Sequence, residues 1–160
     1  MRRAANPTDL EAVHAIYMHE AVVPFLGFDP MPLDDFRAVY RDLLASGGFF
    51  VWEAGGEVAG FYKAVRHPGR ARHVAGLGTL AVAPRHHGSG VARAMVGDAI
   101  ARLAAEGVLR VELMVESDNP RGIRFYEGLG FRIEGTLRKF YKRAGDAHFV
   151  DEHVMGLLLG

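Results

Sequence analysis

The stretch that most constrains this chain runs from Gly76 to Glu106 and predicts a buried strand, a glycine-rich turn and a long helix. The apolar run Thr79–Val82 is typical of a strand covered on both faces. Pro84 ends it, because proline cannot donate to a sheet ladder. We expect the helix to begin at about Ser89 and to be buried over most of its surface, since alanine and other apolar residues fill it. The expected exception is a weakly polar stripe of Arg93, Gly97, Asp98, Arg102 and Glu106.

The junction between this strand and this helix has the chemistry of an anion-binding site. A helix start presents unpaired backbone N–H groups and the positive end of the helix dipole. Gly88 and Gly90 carry no side chain, so a bulky anion can approach those amides closely. Arg85 adds a positive charge and Ser89 a hydroxyl. A pyrophosphate group would fit here. The alternative is a turn that uses glycine only for its geometry.

Length and composition restrict the class of protein. A chain of 160 residues predicts a single domain spanning 1–160 with its own core. Nineteen basic and nineteen acidic side chains cancel, so neither nucleic acid nor a membrane surface is predicted as the main partner. The lack of cysteine excludes disulfides and thiolate chemistry and is compatible with a reducing compartment. No apolar run approaches the ~18 residues of a membrane span, and no signal peptide is evident. We therefore expect a cytoplasmic protein.

The rest of the chain predicts the element order β-α-α-β-β-β-α-β-α-β-β, an α/β fold with a mixed sheet. The strands that flank the long helix must be parallel, because a helical crossover joins them. Thr8 and Glu11 predict a capping box for a first helix that reaches about Glu20. The predicted strands are Met1–Ala5, Phe49–Ala54, Glu57–Arg66, Gly76–Val82, Val108–Val115, Phe131–Arg138 and Phe149–Leu159, and the other helices are Asp34–Ala45 and Pro120–Leu129.

A second motif, Asn119–Phe131, reads NPRGIRFYEGLGF and places Pro120 at a favoured first helical position. It resembles the second signature of the GCN5-related N-acetyltransferases (GNAT family), and Val82–Ala92 resembles their acetyl-CoA motif. Along essentially the whole chain, the predicted element order agrees with the GNAT fold. In that fold two central parallel strands splay apart. The segments His73–Ala75, Ile133–Arg138 and Phe149–Glu152 resemble the branch of bacterial amino-acid N-acyltransferases.

This resemblance implies acetyl-CoA as the cosubstrate and gives roles to particular positions. The backbone of Leu80 and Val82 would bond the pantetheine arm, and a backbone N–H near Leu80 would stabilise the oxyanion. Asn119 would bond the pantetheine arm or the pyrophosphate region, and Tyr126 would give a proton to the departing sulfur. The implied cofactor-binding set is Leu80, Val82, Arg85, His87, Gly88, Ser89, Gly90, Val91, Ala92, Asn119 and Tyr126.

The general base is not fixed by the resemblance. Many relatives carry a glutamate on the central strand, where this chain has Gly76–Thr79 and no carboxylate. Glu20, Glu116 and Asp151 are candidates, and a relay of water to bulk solvent is the alternative. Because His86 and His87 have no third ligand at suitable spacing, a metal site is not predicted.

The acceptor is predicted from a loop of unusual composition. The segment 21–32 contains three prolines and large apolar side chains, so it should form a lid or a pocket wall. Phe25 and Phe28 would line this wall, with Val23 and Leu26. Such a wall suits the apolar side chain of an amino acid. Arg70, Arg72 and His73 are weaker candidates for binding a substrate carboxylate.

The leading hypothesis is an acetyl-CoA-dependent N-acetyltransferase that acetylates the primary amine of a small molecule by direct attack in a ternary complex. One alternative is acetylation of a protein N-terminus or a lysine, and another is a non-catalytic sensor that binds acyl-CoA. A P-loop nucleotide enzyme is disfavoured because the chain lacks Gly-x-x-x-x-Gly-Lys-Ser/Thr. The resemblance leaves open a homodimer.

Overall fold

The predicted order of seven strands and four helices is present in a computed structural model that describes residues 1–160. The strands are β1 (Arg2–Ala4), β2 (Phe49–Ala54), β3 (Glu57–Arg66), β4 (Val74–Val82), β5 (Arg110–Glu116), β6 (Arg132–Tyr141) and β7 (Val150–Leu158). The helices are α1 (Leu10–Tyr17), α2 (Leu33–Ala45), α3 (Val91–Ala105) and α4 (Pro120–Glu127).

The strands form one mixed sheet in the order β1-β2-β3-β4-β5-β7-β6, which confirms the predicted fold class. Strands β4 and β5 are parallel, as expected for two strands on either side of a helix. Their ladder joins only Val74–Gly76 to Arg110–Glu112. Further along β4, Thr79 has a φ of +43°, which is unusual for a β-branched residue and marks a local distortion of the strand. Sequence reasoning did not predict this distortion.

The chain divides into two compact units, one of residues 1–65 and 77–102 and the other of residues 66–76 and 103–160. In the first unit, aromatic rings pack in series between α1, α2 and the hairpin of β2 and β3. The ring centroid of Tyr17 lies 5.1 Å from that of Phe36 and 6.0 Å from that of Phe61. The ring centroid of Phe49 lies 5.6 Å from that of Phe61 and 6.1 Å from that of Tyr40. Tilted and edge-on aromatic pairs of this kind stabilise a core beyond the area that they bury.

The second unit is organised around β5 and β7. Every second residue of β5 is buried, so Val111, Leu113 and Val115 form an apolar face. Phe131 and Met155 are also almost fully buried. Leu109 falls within the predicted strand Val108–Val115, but it precedes β5 and is 57% exposed.

Two local predictions about helices were wrong. The capping box uses Asn6 and Asp9: Asn6 accepts a hydrogen bond from Thr8 N, and the Asp9 carboxylate accepts one from Asn6 N. Asp9 is buried and also accepts two bonds of 2.7 Å from Arg3, so this choice ties the start of α1 to β1. Helix α3 begins at Val91, after Gly90, and not at Ser89.

Helix α3 is also less buried than its composition suggested. Its fully buried residues are Met95, Val96, Ala99 and Leu103, which share one face. Ala94, Ala101, Ala104 and Ala105 are exposed. Alanine is small and has a high helix propensity, so a run of alanines does not require a partner on every side of a helix.

The apolar loop 21–32 is attached to α1. Burial raises the pKa of Tyr17 to about 12, against the effect of hydrogen bonds from the backbone of Gly27 and Phe28. The ring nitrogen Nε2 of His14 lies 3.0 Å from the carbonyl oxygen of Met31. Phe25 and Phe28 are 38% and 50% exposed, so the loop is held at its base while two of its aromatic rings remain accessible.

Two buried tyrosines provide a matched test of this core. The Tyr40 hydroxyl donates a 2.6 Å hydrogen bond to the carbonyl of Asn6, whereas the Tyr62 hydroxyl is fully buried without a hydrogen-bond partner. We expect Tyr40→Phe to lower the free energy of unfolding by about 1 kcal/mol, and Tyr62→Phe to leave it unchanged or raise it by up to ~1 kcal/mol. Urea denaturation measures both. A larger loss in Tyr62→Phe than in Tyr40→Phe would contradict this account of the two hydroxyls.

Candidate functional site

The first group of predicted site residues is the loop Arg85–Ala92, called here the amide loop. It follows β4 through one 3₁₀ turn, Pro84–His86, and runs into α3. Gly88 and Gly90 have φ values of +77° and +89°, in the region that side chains other than glycine rarely adopt. A Cβ atom added to either residue would meet nothing within 4 Å. These glycines therefore serve the backbone conformation, and the space beside them is open.

The hydrogen bonds of the amide loop leave a set of donors free. The N–H groups of His86, His87 and Ser89 bond to carbonyls three residues earlier, and the first bond of the helix runs from Ala94 N to Gly90 O. The N–H groups of Gly88, Gly90, Val91 and Ala92 bond to nothing in the chain. Arg85 and residues 87–90 are exposed, and His86, Val91 and Ala92 are partly exposed. Adjacent free donors at a helix start favour an anion with several oxygens.

The side chains of the amide loop mostly contact the chain itself. Arg85 donates to Glu57 at 2.9 Å and to the Val58 carbonyl at 3.3 Å. The Nε2 atom of His87 lies 2.9 Å from the carbonyl oxygen of Val82, and the Ser89 hydroxyl donates to the His86 carbonyl at 2.6 Å. These contacts hold the loop in shape, and the backbone supplies the free donors.

The predicted pantetheine contacts lie on the same unit, immediately before the loop. Val82 is buried at the end of β4, and Leu80 is partly exposed. Both follow the distorted residue Thr79 and lie beyond the three residues of β4 that pair with β5. The backbone of this part of β4 is consequently not bonded to β5.

The second group of site residues lies at the end of β5 and the start of α4, in the second unit. Asn119 caps α4: its Oδ1 accepts a hydrogen bond from Gly122 N at 2.9 Å, and its Nδ2 donates to Glu116 at 3.2 Å. A Cβ atom on Gly122 would lie 2.6 Å from the Asn119 side chain, so glycine is required for this close approach. The amide of Asn119 is thus fixed by the helix on one side and by a carboxylate on the other.

Tyr126 lies on α4, two turns after the cap. Its ring makes edge contacts with Phe125 and Phe131 at 5.2 and 5.8 Å between centroids. Displacement of water by the surrounding protein raises the pKa of the phenol, and the nearby charge of Glu116 acts in the same direction. Tyr126 consequently keeps its proton throughout the physiological pH range.

Glu116 is the only glutamate of the chain that is almost fully buried, with 7% exposure. Burial raises the pKa of its carboxyl, and hydrogen bonds from its own backbone and from Asn119 act against this. The sequence singled out Glu116 only as a weak candidate. The structure brings it together with Asn119 and Tyr126.

Three further residues beside Glu116 escaped the sequence analysis. Glu152 lies directly opposite Glu116 in the ladder of β5 and β7. Burial raises the pKa of Tyr141, and so does the charge of Glu116. Arg143 donates to both carboxylate oxygens of Asp118, at 2.7 and 3.1 Å, and to the Tyr141 hydroxyl at 2.7 Å. Cross-strand register and a contact spanning 25 residues bring these groups together, and no local motif encodes either.

The other predicted residues lie outside both groups. Glu20 is exposed in the turn after α1. The Asp151 carboxylate accepts a 2.7 Å hydrogen bond from Lys139 N, where β6 bulges with a φ of +52°. Arg70, Arg72 and His73 are exposed. No cluster of three or more potential metal ligands is present, and none of the helices combines the length and apolar character needed to cross a membrane.

Comparison with known proteins assigns the family. Residues 10–131 match the model of the acetyltransferase (GNAT) family. An uncharacterized N-acetyltransferase of Mycobacterium bovis is 40% identical over 100 residues, 62% of this chain and 60% of that protein. A mycothiol acetyltransferase of Frankia alni is 35% identical over 108 residues, 62% of this chain and 32% of that protein. The alignments thus span less than two thirds of these relatives.

Comparison of structures supports the same fold. The crystal structure of a ribosomal-protein-alanine N-acetyltransferase from Brucella melitensis superimposes with a TM-score of 0.80 and 24% identity, covering 99% of both chains. Because the family match covers most of the chain and includes the amide loop, Asn119 and Tyr126, the chain belongs to the GNAT family of acetyltransferases.

Proposed function

We propose that this protein is an N-acetyltransferase that uses acetyl-CoA to acetylate the primary amine of a small molecule, with an apolar amino acid as the favoured acceptor. The observation that carries the proposal is the set of four unbonded N–H groups on Gly88, Gly90, Val91 and Ala92. They lie in the segment of a GNAT domain that directly follows β4. A diphosphate supplies the oxygens that such donors need.

The residues of the amide loop fit coenzyme A. The open space beside Gly88 and Gly90 allows the diphosphate to approach the backbone, and the start of α3 contributes the positive end of its dipole. Leu80 and Val82 would bond the pantetheine arm through their backbone groups. The thioester supplies an activated acetyl group, and a backbone N–H near Leu80 would stabilise the oxyanion that develops during attack.

Tyr126 would donate the proton that the departing sulfur requires. Its phenol retains that proton at neutral pH, because its surroundings raise its pKa. Proton transfer becomes favourable when the thiolate is itself shielded from water, since desolvation raises the pKa of the thiol as well. Asn119, fixed by Gly122 and Glu116, would bond the carrier beside the phenol.

The acceptor preference rests on the loop 21–32. Its base is attached to α1 through Tyr17 and His14, and Phe25 and Phe28 keep accessible rings. Aromatic surface of this kind would contact the side chain of an apolar amino acid.

The acceptor class can be tested with purified protein, acetyl-CoA and a panel of amino acids, diamines and short peptides, with thiol release as the signal. We expect turnover with methionine or phenylalanine to exceed turnover with lysine or a diamine by about tenfold, because a charged side chain would have to be desolvated against the phenylalanine rings. Turnover with peptides alone would favour a protein acceptor. Binding of acetyl-CoA without thiol release for any amine would favour the sensor function.

Substitution of Gly90 tests the diphosphate site. We expect Gly90→Leu to weaken the binding of coenzyme A by at least about tenfold, because the side chain would occupy the space beside the free amides and glycine alone suits the φ of +89°. Isothermal titration calorimetry measures the affinity. Gly55→Leu is the matched control, since Gly55 also has a positive φ and open space but lies in the hairpin between β2 and β3. Equal affinities of the two variants would contradict the proposed site.

Removal of the Tyr126 hydroxyl tests proton donation. Tyr126→Phe keeps the ring contacts with Phe125 and Phe131, and we expect kcat to fall by about 10²-fold while the affinity for coenzyme A changes little. Tyr62→Phe removes a buried hydroxyl from β3 and serves as the control with normal kcat. If Tyr126→Phe has the kcat of the unmodified protein, another group protonates the sulfur.

A further inference from the structure

The neighbourhood of Glu116 contains a second carboxylate that the proposed function does not use. In the antiparallel ladder of β5 and β7, Glu152 is the direct partner of Glu116. Side chains of directly opposed residues project from the same face of a sheet, with Cβ atoms about 4.5–5.5 Å apart. Carboxylates on side chains that are opposed in this way repel each other when both are ionised, so one of them tends to retain a proton.

The two carboxylates differ in their hydrogen bonds. Glu116 is buried and is bonded by Asn119 Nδ2. Glu152 is half-buried, and its carboxylate takes part in no hydrogen bond or ion pair within the chain. Burial and the charge of Glu116 together raise the pKa of Glu152 to about 7. Glu116 thus has fixed partners, whereas Glu152 is the partner-free member of the pair and can be reached from solvent.

The groups that surround the pair come from β6, from α4 and from the chain segments next to them. The charge of Glu116 raises the pKa of two phenols, Tyr141 on β6 and Tyr126 on α4, so both stay protonated. Asp118 and Arg143 also act on Glu116, but they are paired with each other through a forked hydrogen bond. On β6 the residue opposite Glu152 is Leu137, which is apolar. Glu152 therefore has no cation of the chain as its partner.

Resting on the proposed function, we infer that Glu152 is the general base of the reaction, which takes the proton of the incoming ammonium group and is held in readiness by its like-charged neighbour Glu116. The ionised Glu152 carboxylate attracts the ammonium and removes one proton, which leaves a neutral amine. The nitrogen then forms a bond to the thioester carbonyl carbon, and the carbon–sulfur bond breaks.

The remaining protons balance as follows. The departing sulfur takes the proton of Tyr126, and the phenol regains one from the nitrogen as the amide forms. Glu152 afterwards releases the substrate proton to solvent. A base that titrates near neutral pH suits this cycle, because it can both accept and release a proton at the working pH. Asp151, the neighbouring carboxylate on β7, already accepts a hydrogen bond from Lys139 N at the bulge of β6.

The inference is tested by comparing Glu152→Gln with Glu127→Gln, a surface variant on α4. With an accepted amine at pH 7.5, we expect Glu152→Gln to lose about 10²-fold in kcat/KM, with unchanged affinity for coenzyme A by calorimetry. The loss should shrink as pH rises, because the amine then deprotonates in solution. Glu127→Gln should have normal activity. Normal kcat/KM in Glu152→Gln would overturn the inference while leaving the proposed acetyltransferase function intact.

The variant Glu116→Gln tests whether the charge of Glu116 raises the pKa of Glu152. Removal of the neighbouring negative charge should move the acid limb of the kcat/KM profile to lower pH by about one unit or more. In the protein without ligands, ¹³C NMR of labelled glutamate should show one carboxyl that titrates near neutral pH. This resonance should be absent in Glu152→Gln and should titrate at lower pH in Glu116→Gln. Lack of such a resonance in the unmodified protein would overturn the inference.

If the unmodified protein releases no thiol with any amine, the proposed function and the inference both fail.

Thermal unfolding gives a test that needs no substrate. The pKa of Glu152 is higher in the folded protein than the ordinary value of about 4.3, so the fold loses stability as pH rises from about 4.3 through 7. Glu152→Gln removes this loss. We expect its Tm to exceed that of the unmodified protein by a few degrees, ~2–4 °C, at pH 8 and to equal it at pH 4. The same Tm difference at both pH values would contradict a raised pKa and overturn the inference.

Discussion

The structure depends on backbone hydrogen bonds that are left unmade at two places between Gly76 and Ala92. After Gly76 the ladder between β4 and β5 ends, and four N–H groups from Gly88 to Ala92 bond to nothing in the chain. Unbonded backbone groups of this kind remain in contact with water, because burial without a partner is costly. The distorted Thr79 lies in the part of β4 that does not pair with β5, and Gly88 and Gly90 have positive φ values beside the free N–H groups. A fold that keeps these two places open has donors available for a ligand and forgoes the stability that a longer ladder would add.

The parts of the fold and of the site that follow from local chemistry could be predicted from the sequence. Gly88 and Gly90 are typical of a turn with positive φ before a helix. Pro120 after Asn119 predicts a helix start, and the crossover through α3 requires parallel strands. Other features could not be predicted because they depend on contacts between residues that are far apart in the sequence. The opposition of Glu116 and Glu152 is a matter of strand register, and the burial of α3 depends on how many sides of the helix are packed.

The electrostatics of the second unit centre on one buried charge. Glu116 contributes to the raised pKa values of Tyr126, Tyr141 and Glu152, three groups on three different elements. The pair of Arg143 and Asp118 joins the end of β6 to the loop before α4, so the strand that carries Tyr141 and the helix that carries Tyr126 are held around the same carboxylate. Titration of these groups is consequently coupled, and a substitution at Glu116 would alter each of them.

The attachment of the loop 21–32 to Tyr17 has a consequence for how such a protein diverges. The residues that fix the loop, Tyr17 and His14, belong to the helix α1, whereas Phe25 and Phe28 project from the loop with much of their surface exposed. Mutations at these two tips change the chemistry presented to solvent and leave the aromatic core of the first unit untouched. If the loop contacts the acceptor as proposed, substitutions at Phe25 and Phe28 can alter specificity with little effect on the stability of the fold.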